Sequence, residues 1–112
     1  MKVHEMNLQP KYFDFIKDGT KRIELRLYDE KRQSIQLGDI IEFAKSEDEK
    51  FKAEVIGFLR YNSFADLFED FDISILADSS ITKQELLEVL GEFYSEEKQA
   101  EFGVIGIRIK LI

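Results

Sequence analysis

Between Arg22 and Tyr28 the sequence RIELRLY alternates without a break: Ile23, Leu25 and Leu27 are apolar, whereas Arg22, Glu24, Arg26 and Tyr28 carry charge or a polar tip. A period of two marks a β-strand, whose successive side chains leave on opposite faces. One face of this strand therefore needs a core, and the other needs a setting for two arginines, a glutamate and a tyrosine. The expectation is that Ile23, Leu25 and Leu27 anchor the strand. The opposite face is either ordinary solvent-exposed strand or a recognition or catalytic surface.

The flanking segments set the frame. Gln9 to Asp18 reads as a helix, with Pro10 at the permissive first position, Tyr12, Phe13 and Ile16 on an apolar side and Gly19 as a terminating cap. Thr20 and Lys21 then fall in a helix-to-strand turn. Before that helix, His4, Met6 and Leu8 alternate with Val3, Glu5 and Asn7 as a short first strand. Asp29 to Ser34 reads as a polar loop, and Gly38-Asp39 as a turn before a strand holding Ile41 and Phe43. Phe51, Ala53, Val55, Gly57, Leu59 and Tyr61 share one parity of a long strand, with Gly57 marking a bulge or barrel bend.

The middle of the chain turns helical. Ser63 with Asp66, and more clearly Thr82 with Glu85, have capping-box spacing, and Ile81 and Leu86 take the staple positions of the second helix. Leu86, Leu87, Leu90 and Phe93 form its expected buried stripe, while Asp72 to Ser80 reads as irregular loop. Ser95 caps a further short helix before Phe102, and Ile105, Ile107, Ile109 and Leu111 close the chain as a strand, with Arg108 and Lys110 on its other parity. This order lacks the regular strand-helix alternation of a doubly wound sheet. It predicts one domain over residues 1–112, mainly β with flanking helices, built as a compact barrel whose closure hides strand edges.

Charge narrows the partners. The net charge is −7, yet residues 1–32 carry eight Lys and Arg against six acids, leaving eight against seventeen in residues 33–112. Such a chain is a poor non-specific binder of long duplexes, but one local basic site can hold a small anionic or single-stranded ligand. Cysteine is absent, which excludes disulfides, thiolate nucleophiles and cysteine-bound metal. With His4 as the sole histidine, no metal and no cofactor is predicted, and His4 itself reads as a solvent-facing or locally hydrogen-bonded residue. No phosphate loop, dinucleotide fingerprint or nucleophile elbow occurs. With no apolar run long enough to span a bilayer, the default is a cytoplasmic protein without membrane partners.

The candidate site is the Lys21 strand. Lys21 can reach a cleft with its ammonium and, if burial lowers its pKa, can act as a base. Glu24 and Arg26, two apart on one strand face, can pair with each other or bracket a ligand, the acid accepting and the guanidinium gripping oxygens. Arg22 offers a further cation, and Tyr28 and Tyr61 offer stacking or a hydroxyl. Ser63 reads as a helix cap, and Asp78, Ser79 and Ser80 as a polar loop able to cap the pocket.

The stretch MNLQPKYFDFIKDGTKRIELRLYDEKRQSIQLGDIIEF, residues 6–43, resembles the opening of the ASCH domain family, relatives of the PUA fold, and YSEEKQAEFGVIGIRIKLI resembles its closing half. Gly19, Lys21, Glu24, Arg26, Gly38 and Asp39 carry the resemblance. It implies a PUA-like β-barrel with a cleft near the Lys21 strand and a role in RNA recognition, in translation or RNA metabolism. The partner would be single-stranded RNA or a small nucleotide or nucleoside, held by Lys21, Arg22, Glu24, Arg26, Tyr28 and Tyr61. Some bacterial members are amidohydrolases of acetylated cytidine, with a lysine, a threonine three positions on and a distant glutamate. Lys21 matches that lysine, Glu24 stands at the threonine position, and the distant acid falls near Asp78 or Ser79, where no glutamate occurs. The alternative implied is a nucleoside amidohydrolase with Lys21 and Glu24 as catalytic groups.

Overall fold

The computed structural model describes residues 2–77 and 80–112, so the predicted capping positions Asp78 and Ser79 lie outside the described residues. Strand β1 (Val3–Asn7) leads through helix α1 (Pro10–Lys17) to β2 (Ile23–Leu27). A short α2 (Glu30–Gln33) precedes β3 (Ile40–Ala44) and the long β4 (Lys50–Tyr61). Four helices follow, α3 (Phe64–Asp70), α4 (Ile73–Leu76), α5 (Lys83–Phe93) and α6 (Glu96–Phe102), before β5 (Val104–Leu111) closes the chain. The sheet order is β1-β3-β4-β5-β2, with β1 and β3 parallel and the other pairs antiparallel.

This is the expected mainly β architecture with flanking helices, in the form of a curled half-barrel. Its two edge strands are β1 and β2, the strands joined by α1. Phe13 and Ile16 of α1 plug the concave side, where they meet Met6, Ile41, Phe43, Ala53, Val55, Ile105, Ile107 and Ile109. The convex face carries a second core, in which Ile23, Leu25, Leu27 and Val104 pack beneath Phe64, Leu67, Phe68, Leu76, Leu86 and Leu90 of the helical segment. Two cores on opposite sides of one sheet bury β2 and β5 from both directions.

Several local expectations change for identifiable reasons. A bulge between Val55 and Gly57 shifts the parity of β4: Ala53 and Val55 face the inner core, but past the bulge Phe58 takes that side while Leu59 and Tyr61 turn to the outer core. One inserted residue exchanges the faces of everything beyond it. Asp29 and Asp72 accept hydrogen bonds from Arg32 and Ser74 backbone N–H groups, and these caps start the short helices α2 and α4 where loops are predicted. Thr82 and Glu85 form the reciprocal capping box. At the end of that helix Phe93 is 58% exposed, not buried in the stripe. His4 is buried, not solvent-facing, its Nε2 2.8 Å from Asp39 Oδ2; Asp39 also accepts from the Lys2 and Gln36 backbone N–H groups, tying the starts of β1 and β3 together. These hydrogen bonds, led by His4, hold the Asp39 carboxyl down at about 2.

Gly106 lets the helices approach β5. A Cβ there would stand 2.9 Å from Ile23 Cγ2 and 3.3 Å from Leu67 Cδ1. Ile23 is β-branched and locked in the outer core, so it has little room to yield. Gly106→Ala should therefore destabilise the protein by about 1–3 kcal/mol. The check is a urea titration, in which the midpoint falls while the slope stays unchanged.

Candidate functional site

The turn after α1 puts Lys21 just before the start of β2. Gly19, at φ 86°, closes α1 by donating to Ile16 O, and Thr20 N–H donates to Asp18 Oδ1 at 2.8 Å. The Lys21 backbone N–H then returns to Phe15 O, and Arg22 N–H reaches Ile75 O of α4. Lys21 is only 3% exposed. Its ammonium donates to the carbonyl of Ile23 and, at 2.9 Å, to that of Leu76, and lies 3.7 Å from Glu24 Oε1.

Glu24 is 4% exposed, because the polar parity of β2 does not face solvent. It is registered opposite Ile107, and Arg26 opposite Ile105, both members of the concave core. At Glu24 and Arg26 this face is therefore not ordinary solvated strand but turns inward, because a core lies on each side of the sheet. Glu24 Oε1 accepts from Leu25 N–H at 3.0 Å, and Oε2 accepts from Arg26 Nη2 at 3.0 Å and Nε at 3.3 Å. Arg26 Nη2 also donates to Asn7 O at 3.0 Å. The guanidinium thus bridges the seam between the edge strands β1 and β2, where no backbone ladder joins them.

The three charges depend on one another. Burial pushes Lys21 down to about 8, against the pull of Glu24 and with the repulsion of Arg26. Burial would raise Glu24, but Arg26 and Lys21 outweigh it and hold its pKa below the usual carboxylate range. Burial would likewise lower Arg26, and Glu24 overcomes that, with the Tyr94 hydroxyl as a further partner. An ion cluster of this kind is retained only while its members are paired, since an unpaired buried charge costs several kcal/mol.

Above the cluster opens a cavity of about 150 Å³. Leu8 and Tyr12 wall one side, and Leu86, Val89, Leu90, Phe93 and Tyr94 the other, with Lys21, Glu24 and Arg26 at the polar base. Asn7 and Gln9 stand at its margin, exposed, with side-chain amides that make no hydrogen bond to a described residue. A cavity of this volume takes a single aromatic ring.

Of the residues predicted from sequence, Lys21, Glu24 and Arg26 come together here. Arg22 does not: it is exposed and lines a separate concavity with Arg108 and Lys110. Tyr28 lies under Arg60, with the guanidinium carbon 3.8 Å from its ring centroid, and Tyr61 donates its hydroxyl to Asp70 Oδ2 at 2.5 Å. Both tyrosines border another hollow beside α6. Sequence reasoning missed Tyr12, Phe93, Tyr94 and the Asn7 and Gln9 amides. Phe93 was hidden by fitting a buried stripe, and the others lie on elements whose approach to β2 no local pattern encodes.

The sequence pattern of the ASCH domain matches residues 6–112. The chain belongs to the ASCH domain family. The crystal structure of hypothetical protein PH0355 superposes with a TM-score of 0.88 at 40% identity, covering 100% of both chains. The solution structure of PF0455 from Pyrococcus furiosus gives 0.80 at 35% identity, over 98% of this chain and 97% of that one. A mutant of ZmASCH from Zymomonas mobilis shares the fold at 12% identity, with a TM-score of 0.68 over 98% of this chain and 70% of the other. No curated protein matches the sequence. Among the described residues, no helix of this ASCH protein is long and apolar enough to cross a membrane.

Two outcomes test the cluster. Glu24→Ala leaves Lys21 and Arg26 buried without their anion and should cost about 3–5 kcal/mol in chemical denaturation, whereas Glu24→Gln keeps the shape and loses the charge. For Lys21 the folded pKa lies below the unfolded one, so the unfolded chain binds more protons between about pH 8 and 10.5. Stability should therefore rise with pH across that window in the native protein. Lys21→Met should lack this component, as read from urea midpoints measured at a series of pH values.

Proposed function

We propose that this ASCH protein recognises the base of a nucleoside or nucleotide, free or as part of a single-stranded RNA, in the seam pocket between β1, β2 and α5. One observation carries the reading: a ring-sized cavity is walled by aromatic side chains and based on buried Lys21 and Glu24 and half-buried Arg26, both cations paired with Glu24. Nucleobases are recognised by combining stacking with hydrogen bonds to their polar edges. Tyr12, Phe93 and Tyr94 supply aromatic surface, and the exposure of Phe93 at the wall leaves that ring available to a ligand. The amides of Asn7 and Gln9 each offer a donor and an acceptor, while Arg26 offers donors fixed in direction by Glu24.

The role of Glu24 in this reading is to orient Arg26, and that of Lys21 is to hold the positive end of the cavity. At pH 7 Lys21, at about 8, keeps its proton, so the cluster presents a net positive charge at the base of the pocket. The protein's overall charge of −7 favours a short ligand over a long duplex.

Titration calorimetry with a panel of nucleosides and their monophosphates tests the reading. Saturable binding is expected for one base class. Val89→Trp, which fills the pocket from its partly exposed wall, should abolish that binding without unfolding the protein, and Arg26→Ala should weaken it at least about ten-fold, the loss of one charged hydrogen bond. Tyr28→Phe and Tyr61→Phe should leave it unchanged, because they border a different hollow. No binding by any nucleoside, or equal binding by Val89→Trp, would overturn the assignment.

A second reading, hydrolysis of an N-acylated cytidine, draws on one observation: burial brings Lys21 to about 8, into the range of a general base. In that reaction water adds to the acyl carbon, the C–N bond breaks, and a proton passes to the leaving amine. Glu24 replaces the hydroxyl of the related hydrolases, and Lys21 already donates to two carbonyls, so recognition is the better-supported function. Chromatography of N4-acetylcytidine incubated with the protein decides between them: cytidine released by the native protein and not by Lys21→Met would establish the hydrolase.

A further inference from the structure

The helical layer covers only part of the convex face. Val104 and Gly106 of β5 lie beneath it, but the same face of β5 continues to Arg108 and Lys110, both exposed. Arg108 is registered between Ile23 of β2 and Gly57 of β4, and its stem crosses Gly57 so closely that a Cβ there would be 3.2 Å from Arg108 Cδ. Arg22 joins them at the entry to β2. Its backbone is pinned on both sides, the N–H donating to Ile75 O at 3.0 Å and the carbonyl accepting from Ile109 N–H at 3.2 Å.

These three cations line one concavity of about 620 Å³, whose apolar surface includes Phe71, Ile75 and Ile56, the last being 49% exposed at the β4 bulge. None of the three makes an ion pair or a side-chain hydrogen bond with a described residue. Other surface cations of this acidic chain have varied partners: Arg32 pairs with Asp29 and Lys45 with both Asp14 and Glu49, whereas Lys11 and Lys98 lie over aromatic rings; what sets Arg22, Arg108 and Lys110 apart is that they share one concavity. Glu54, opposite Lys110 in the strand register, forms no ion pair with it. Three like charges in one hollow, without ion pairs among the described residues, repel one another, and an anion placed among them removes that repulsion.

We propose that this concavity binds the phosphates of single-stranded RNA. For the class of ligand this rests on the base pocket described above, with which it shares the Lys21 wall. Arg22 and Arg108 supply guanidinium forks for phosphate oxygens and Lys110 a mobile point charge, while Ile56 and Phe71 offer apolar surface to sugars and bases. A few phosphate contacts on a protein of net charge −7 fit a short flexible strand, which can follow a curved hollow, and not an extended duplex.

Fluorescence anisotropy with a fluorescein-labelled mixed-sequence RNA decamer, from 50 to 200 mM salt, tests the site alongside calorimetry with the nucleosides. Three phosphate contacts give a slope of log K against log salt of about −2, roughly a twenty-fold loss of affinity across that range. The variant carrying Arg22→Ala, Arg108→Ala and Lys110→Ala should lose most decamer binding and nearly all of that slope while binding nucleosides as before. Arg22→Lys with Arg108→Lys should keep the slope, which separates charge from fold. Unchanged decamer affinity and slope in the alanine variant would overturn the site, as would nucleoside binding by a native protein that ignores the decamer. A polyglutamate decapeptide binding as tightly as the RNA would overturn the assignment to nucleic acid. If Val89→Trp and the native protein both ignore nucleosides while the decamer binds through the three cations, the pocket reading falls and the phosphate site stands.

Discussion

Strand β2 is buried on both faces, and the site follows from that constraint. A strand with apolar residues on one parity and charges on the other ordinarily lies between a core and water. Here the helical layer takes Ile23, Leu25 and Leu27, while the curl of the sheet turns Glu24 and Arg26 toward the concave core beside Ile105 and Ile107. Charges forced indoors have to be neutralised locally. Glu24 accepts from Arg26 through two nitrogens, lies within ion-pair distance of Lys21, and takes the Leu25 N–H as well, so its two oxygens are committed to holding the cluster together.

The cluster also resolves a problem of the sheet. β1 and β2 are its edges, and the backbone groups along an unpaired edge need other partners. Arg26 reaches across to Asn7 O, and α1 fills the concave side behind it with Phe13 and Ile16. The seam is thereby held by side chains, which can leave a hollow that a continuous hydrogen-bonded ladder would close. The cavity and the stability of this edge consequently share residues. Substitutions of Glu24 affect both, whereas Val89, on the far wall, separates occupancy of the cavity from the integrity of the fold.

Cations elsewhere divide by what surrounds them. Lys21 and Arg26 are paired inside, Arg32 and Lys45 are paired at the surface, and Arg60 lies on the Tyr28 ring. Arg22, Arg108 and Lys110 have no such partners among the described residues around one concavity, although acids outnumber bases in the chain. Sequence position gives no hint of this arrangement: Arg22 belongs to the alternating strand pattern, yet it sits just before the strand begins and turns away from Glu24.

Local chemistry alone determined much of the molecule. Pro10 and Gly19 delimit α1 to within a residue or two, the Thr82-Glu85 box starts α5, Ser95 starts α6, and the alternation of β2 and β5 identifies their apolar faces, because each signal acts over a few neighbouring residues. The resemblance carried by Gly19, Lys21, Glu24, Arg26, Gly38 and Asp39 led to the right family. Tertiary structure decided the rest. Whether a polar strand face meets water or a second core depends on how the sheet curls, and the bulge that reverses β4 depends on its register with β5. The pairing of His4 with Asp39 and the meeting of Tyr94 with Arg26 join residues 35 and 68 positions apart, distances over which no periodicity in the chain carries information. The alternation of IELRL determined that Glu24 and Arg26 share a face; only packing on both sides of the sheet turned those two side chains inward and left Arg22 outside.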